Sequence, residues 1–116
     1  MRDTTAAKLV QFVGRPLDEL RDFPAEAKDE AGHHIYLAQL GDTPPGSKAM
    51  PDIGRGVREI RIAENDGWFR VLYIAELKGR VWVLHCFQKK SNQIPKTAKD
   101  MGIKRYKLAV DEAKEL

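Results

Sequence analysis

Between Val57 and Lys90 apolar residues alternate with polar ones in three short runs. Val, Ile, Phe, Trp and Tyr dominate these runs, and such side chains suit a pleated, half-buried surface. Glu64-Asn65-Asp66-Gly67 separates the first run from the second, and Lys78-Gly79 the second from the third. Both are turn sequences. The pattern predicts a β-meander with strands over about 57–63, 68–76 and 80–88.

The same pattern predicts a register. Pairing Ile62 with Phe69 and Ile60 with Val71 collects an apolar set on one face, joined by Tyr73 and Ala75. Arg61 then stands opposite Arg70 on the other face. With Lys78-Gly79 as a two-residue loop, His85 falls opposite Leu72, Phe87 opposite Arg70 and Lys89 opposite Trp68. Arg61, Arg70, His85 and Lys89 thereby share one end of one face. Facing like charges are destabilising, so two readings of the arginines stand: an anion held between them, or neutralisation by Glu59 or Glu76.

Residues 6–13 read as a further strand, ended by Gly14. Pro16 starts a short helix with Leu17, Leu20 and Phe23 on one side. A second helix runs from about Ala25 to Leu40, where Ala27, Ala31, Ile35 and Ala38 form a stripe that permits close packing, and Gly41 caps it. Residues 42–56 are rich in Pro and Gly and read as a long loop carrying Lys48 and Arg55; loops of that length are often functional. A basic loop over residues 89–96 includes Lys96. Thr97 and Asp100 resemble a capping pair for a last helix reaching about Glu115, with Ile103, Tyr106, Val110 and Ala113 spaced for one buried face. The order is strand, helix, helix, three strands, helix. The third meander strand, apolar on both faces, belongs in the sheet interior, with the first strand beside it, away from the hairpin. The expected fold class is α+β, a two-layer domain over residues 1–116.

Composition narrows the function classes. At 42% hydrophobic and 32% charged, the 116 residues suit one soluble domain with a modest core. No apolar run has the length of a membrane span, and the N-terminus lacks the regions of a signal peptide. The one cysteine, Cys86, excludes an internal disulfide and a multi-cysteine metal site, and falls on the core face of a strand. His33 and His34 are adjacent on a helix, point in different directions and do not share a metal. These features fit a cytoplasmic protein with no metal and no cofactor. The net charge of +3 is uneven: residues 53–107 carry 13 Lys or Arg against 5 Asp or Glu, while residues 1–52 carry 6 against 9. A basic half bearing a sheet suits a polyanion, or is a solvated face.

The segments V-R-E-I-R, W-F-R-V-L-Y-I-A and V-W-V-L-H-C-F-Q-K-K-S-N-Q-I-P-K, followed by a basic helix, together resemble the RelE/HigB toxins, closest to their phage-derived, HigB-like branch. The match covers about residues 53–116. It implies a RelE-like fold and the toxin of a type II toxin–antitoxin pair, a metal-free messenger RNA endoribonuclease that acts on the translating ribosome. Implied partners are messenger RNA, the ribosome and an antitoxin, a helix-turn-helix protein encoded next door; DNA is met only through the antitoxin. Arg61, Arg70, His85, Lys89 and Lys90 match the family pattern and are the implied catalytic residues, with Lys48, Arg55, Arg58 and Lys96 as RNA contacts. Tyr106 is the one tyrosine available in the last segment. SNQIP stands where SQKTP-like sequences are usual, one basic residue fewer.

For such chemistry a base removes the 2′-hydroxyl proton, cations stabilise the phosphate and an acid protonates the leaving oxygen. Guanidinium forks suit the phosphate; His85 or a lysine crowded by cations suits proton transfer. Between Leu84 and Cys86, His85 equally suits a hydrogen-bonded core position. Trp68 suits base stacking or, more simply, packing under the last helix. Two further readings stay open: a non-enzymatic ParE-like gyrase inhibitor or an inactive homologue on the same fold, and a plain RNA-binding domain, for which the aromatic RNP-type signature is missing.

Overall fold

The computed structural model describes residues 7–64, 67–89 and 94–116. Asn65 and Asp66 of the first turn, and Lys90 with the rest of 90–93, lie outside the described residues. The elements are β1 (Leu9–Phe12), α1 (Pro16–Arg21), α2 (Ala25–Gln39), β2 (Lys48–Ala49), β3 (Val57–Glu64), β4 (Gly67–Leu77), β5 (Arg80–Lys89) and α3 (Lys96–Ala113). They form one five-stranded sheet in the order β1-β5-β4-β3-β2, with β1 parallel to β5 and the remaining pairs antiparallel. The α+β class and element order are those expected, and β5 lies inside the sheet beside β1. The two residues of β2 were expected as loop: too short to show a period, they pair with Arg58 and Glu59 of β3.

The register follows the sequence pattern. Ile62 pairs with Phe69, Ile60 with Val71 and Arg61 with Arg70. Across the second hairpin, His85 faces Leu72, Phe87 faces Arg70 and Lys89 faces Trp68. Lys78 and Gly79 both take positive φ, 55° and 74°, the mirror-image turn that matches strand twist. Two register slips lie between: the pairing passes over Leu84 on β5, and a compensating slip falls between Ile74 and Leu77 on β4. They cancel, so the basic end keeps the pairing that a two-residue turn dictates.

Each face of the sheet has its own core. On one, Leu20, Phe23 and the small stripe Ala27, Ala31, Ile35 and Ala38 cover Ile60, Ile62, Phe69, Val71 and Tyr73. On the other, Leu72, Ile74, Trp82 and Leu84 pack with Ala109 and Ala113 of α3. The layer of α1 and α2 on the sheet is thus joined by α3 as a third layer over part of the opposite face. The buried face of α3 is rotated from the expected one: Ala98, Gly102, Arg105, Ala109 and Ala113 are buried, with Ile103 and Tyr106 flanking. Small residues bring the helix close; a Cβ on Gly102 would lie 2.9 Å from a Leu72 methyl. Thr97 and Asp100 make no cap, because the extended backbone of Pro95 occupies the cap position and the helix has already begun at Lys96. None of the described helices is long and apolar enough to cross a membrane.

Candidate RNA-cleavage site

The alternation E-I-R in β3 puts Glu59 and Arg61 on the face where α3 packs, two residues apart. Lys48 of β2 pairs with Glu59, and Lys89 of β5 ends the same face. The start of α3 brings Ile94, Lys96 and Lys99 over these residues. Together with Met50 they line an open cleft of about 630 Å³. Five of its eight lining side chains are cationic, and Glu59 is the one carboxylate.

Glu59 is 3% exposed. Its Oε1 lies 3.5 Å from Arg70 Nε and 3.8 Å from Arg61 Nε. Its Oε2 is buried with no hydrogen-bond partner among the described residues. One carboxylate oxygen therefore offsets two like charges while the other keeps an unused acceptor. Glu59 thus partly neutralises both facing arginines; Glu76 instead lines a separate depression with Arg55 and Tyr106.

The two arginines are not equivalent. Arg61 keeps 40% of its side chain exposed and lines the cleft. Arg70 is 1% exposed, donates from Nη1 to the Phe69 carbonyl at 3.0 Å, and lies 5.2 Å from the centre of the Trp68 ring. Burial pushes the Arg70 guanidinium down from its ordinary value; Glu59 opposes the shift and Arg61 adds to it. Lys89, expected on the surface, is 3% exposed. Burial lowers its pKa, Glu59 raises it, and Arg70, Arg61 and Lys48 lower it further. Such an ammonium gives up its proton more readily than a solvated lysine.

His85 lies on the same face, partly buried, with its Nδ1 engaged by Glu19 at the edge of β5. β1 leaves the edge of β5 after Val13 N–H bonds the Val83 carbonyl. Side chains take over there: Arg105 Nη1 donates to the Leu84 carbonyl and to Glu19 Oε1, both at 2.9 Å. Glu19 Oε1 also accepts the Cys86 N–H at 3.1 Å and lies 2.9 Å from His85 Nδ1. Burial would raise the Glu19 carboxyl, but the bonds from His85, Arg105 and the Cys86 amide hold it at about 2. The buried Cys86 thiol is pushed upward by burial and by Glu19, away from thiolate chemistry.

Of the remaining expected contacts, Lys48 and Lys96 join the cleft. Arg58 does not, because its guanidinium is tied to Ser47 through the hydroxyl and the carbonyl. Arg55 and Tyr106 line the separate depression, and a Cβ on Gly54 would meet the Tyr106 ring at 2.5 Å. Trp68, expected under the last helix, is instead 39% exposed. Glu59 is the functional candidate that the sequence presented only as a neutraliser; its position two residues before Arg61 on one strand face was the available signal.

The family model described as "Phage derived protein Gp49-like" matches residues 18–107. The chain belongs to that phage-derived family. A solved structure of the E. coli toxin RelE, a mutant with two arginines changed to alanine in its free state, superposes with a TM-score of 0.65 at 15% identity, covering 85% of this chain and 97% of that one. No curated protein matches. The Gp49-like chain thus has the RelE fold. The matched region contains Glu59, Arg61 and Lys89.

Proposed function

We propose that this chain is the toxin of a type II toxin–antitoxin pair and cleaves messenger RNA on the translating ribosome, without a metal, in the cleft of Glu59, Arg61 and Lys89. The observation that carries this reading is Glu59: a buried carboxylate with an unused acceptor, flanked by an exposed guanidinium and a lysine of lowered pKa.

In this reading Glu59 Oε2 accepts the proton of a 2′-hydroxyl. The freed oxygen attacks the adjacent phosphorus while Arg61 holds the non-bridging oxygens. Lys89 passes a proton to the 5′-oxygen as its bond to phosphorus breaks. The products are a 2′,3′-cyclic phosphate and a 5′-hydroxyl. Lys48, Lys96 and Lys99 track the strand as counter-charges. Arg70 serves from beneath by fixing Glu59, and His85 by fixing the open edge of β5. The antitoxin, a helix-turn-helix protein encoded next door that alone contacts DNA, blocks this face in the cytoplasm.

Expression of the chain alone tests the reading. Growth arrest, with translation falling before replication and new message ends appearing inside reading frames, is the expected result. A non-enzymatic reading also has support: Arg70 is committed to Glu59 and Phe69, and His85 to Glu19. A gyrase inhibitor stops replication first and leaves messages intact.

A further inference from the structure

Resting on the RNA reading of the cleft, we infer that Trp68 is a base-stacking platform that holds one unpaired nucleobase next to the phosphate bound by Arg61. Trp68 stands on the same sheet face as Arg61 and Arg70, at the end of the row Ala63, Trp68, Lys89. Phe69, Val71, Leu72, Tyr73 and Ile74 of the same strand are all buried, whereas Trp68 is 39% exposed. Its cross-strand neighbour on β3 is the small Ala63, and the Arg70 guanidinium lies over the ring, 5.2 Å from its centre.

A depression of about 270 Å³ lies against the ring, lined by Gly46, Arg61, Ile62, Ala63, Trp68 and Arg70. A Cβ added at Gly46 would meet nothing within 4 Å, so the rim there is open. Arg61 also lines the basic cleft, so the two depressions share a wall. A strand whose phosphate sits on Arg61 therefore has an aromatic surface within a neighbouring depression, with guanidiniums at its margin. Aromatic rings and guanidinium planes are the surfaces on which unstacked bases are held, and every base offers a π-face. Guanidiniums at this margin complement the phosphates that flank an unpaired base, and this favours RNA as the occupant.

Trp82, the second of the two tryptophans, is 1% exposed, with its indole N–H on the Leu77 carbonyl at 2.8 Å. Fluorescence changes on ligand binding thus report on Trp68. The test titrates the whole protein, Trp68→Leu and Trp68→Phe with an uncleavable 2′-O-methyl RNA hexamer and with hexamers abasic at single positions. Thermal melting checks each variant for folding, and Arg61→Ala serves as the cleft control. The expected result is saturable quenching of the native chain, lost at one abasic position. Trp68→Leu should bind the hexamer roughly five- to a hundredfold more weakly, indifferent to that abasic position, while Trp68→Phe retains most of the affinity. Equal binding by native chain and Trp68→Leu without quenching, alongside weakened Arg61→Ala, overturns the platform alone and turns Trp68 toward a protein partner. If Arg61→Ala also binds as the native chain does, the RNA reading of the cleft falls with it.

Discussion

Glu59 and Arg70 form a buried ion pair inside the sheet, with Oε1 3.5 Å from Nε and side chains 4% and 2% exposed. The pair resolves the conflict that the register creates between Arg61 and Arg70, and it leaves Glu59 Oε2 buried with no hydrogen-bond partner among the described residues. Removing one partner of such a pair strands the other without compensation.

The two arginines should therefore behave differently when changed to alanine. Arg61→Ala removes an exposed group and should melt near the native temperature, while cleavage falls about a hundred- to a thousandfold, as for loss of one transition-state donor. Arg70→Ala should lose on the order of 3–5 kcal/mol of stability. Denaturant titration with cleavage per folded molecule measures both.

Acid stability should depend on Glu19. Its carboxyl is held at about 2 in the folded chain against an ordinary 4.5. The group thus stabilises the fold fully above pH 4.5, and this contribution fades as pH falls towards 2. Glu19→Gln should melt lower than the native chain at pH 7, and the gap should close progressively between pH 4.5 and 2. A gap independent of pH would separate stability from the ionised carboxylate.

Gly54 should resist even alanine. The added methyl would sit 2.5 Å from Tyr106 ring carbons, forcing the 50–56 segment away from α3. A loss of about 1–3 kcal/mol is expected from such overpacking. Denaturant titration of Gly54→Ala against the native chain measures the loss, and a variant as stable as the native chain would contradict the close contact.

The meander and its register were legible because local chemistry specifies them: Lys78-Gly79 sets the turn, and pairing Ile62 with Phe69 keeps one face apolar. The cancelling slips near Leu84 were not legible, yet they did not move the basic end. The buried face of α3 was misread because spacing favoured large residues, whereas close approach to Leu72 and Ile53 selects Gly102 and the alanines. Partner choice across distant elements left no periodic mark. Nothing near Glu19 in sequence announces that it meets His85 and Arg105, 66 and 86 residues away. Lys89 and Trp68, cross-strand neighbours, exchanged the expected exposures, which depend on elements distant in sequence rather than on strand alternation.

The central claim is that Glu59 takes the 2′-hydroxyl proton. Single-turnover cleavage of ribosome-bound message by the native chain and by Glu59→Gln tests it most directly, with 5′-hydroxyl ends counted and folding verified by circular dichroism. Glutamine keeps the shape and an oxygen for the arginines but cannot take the proton. The native chain should generate 5′-hydroxyl ends, and the variant should cut about a hundred- to ten-thousandfold more slowly while still binding the message. Cleavage by folded Glu59→Gln at the native rate would contradict the assignment and return Glu59 to a purely neutralising role.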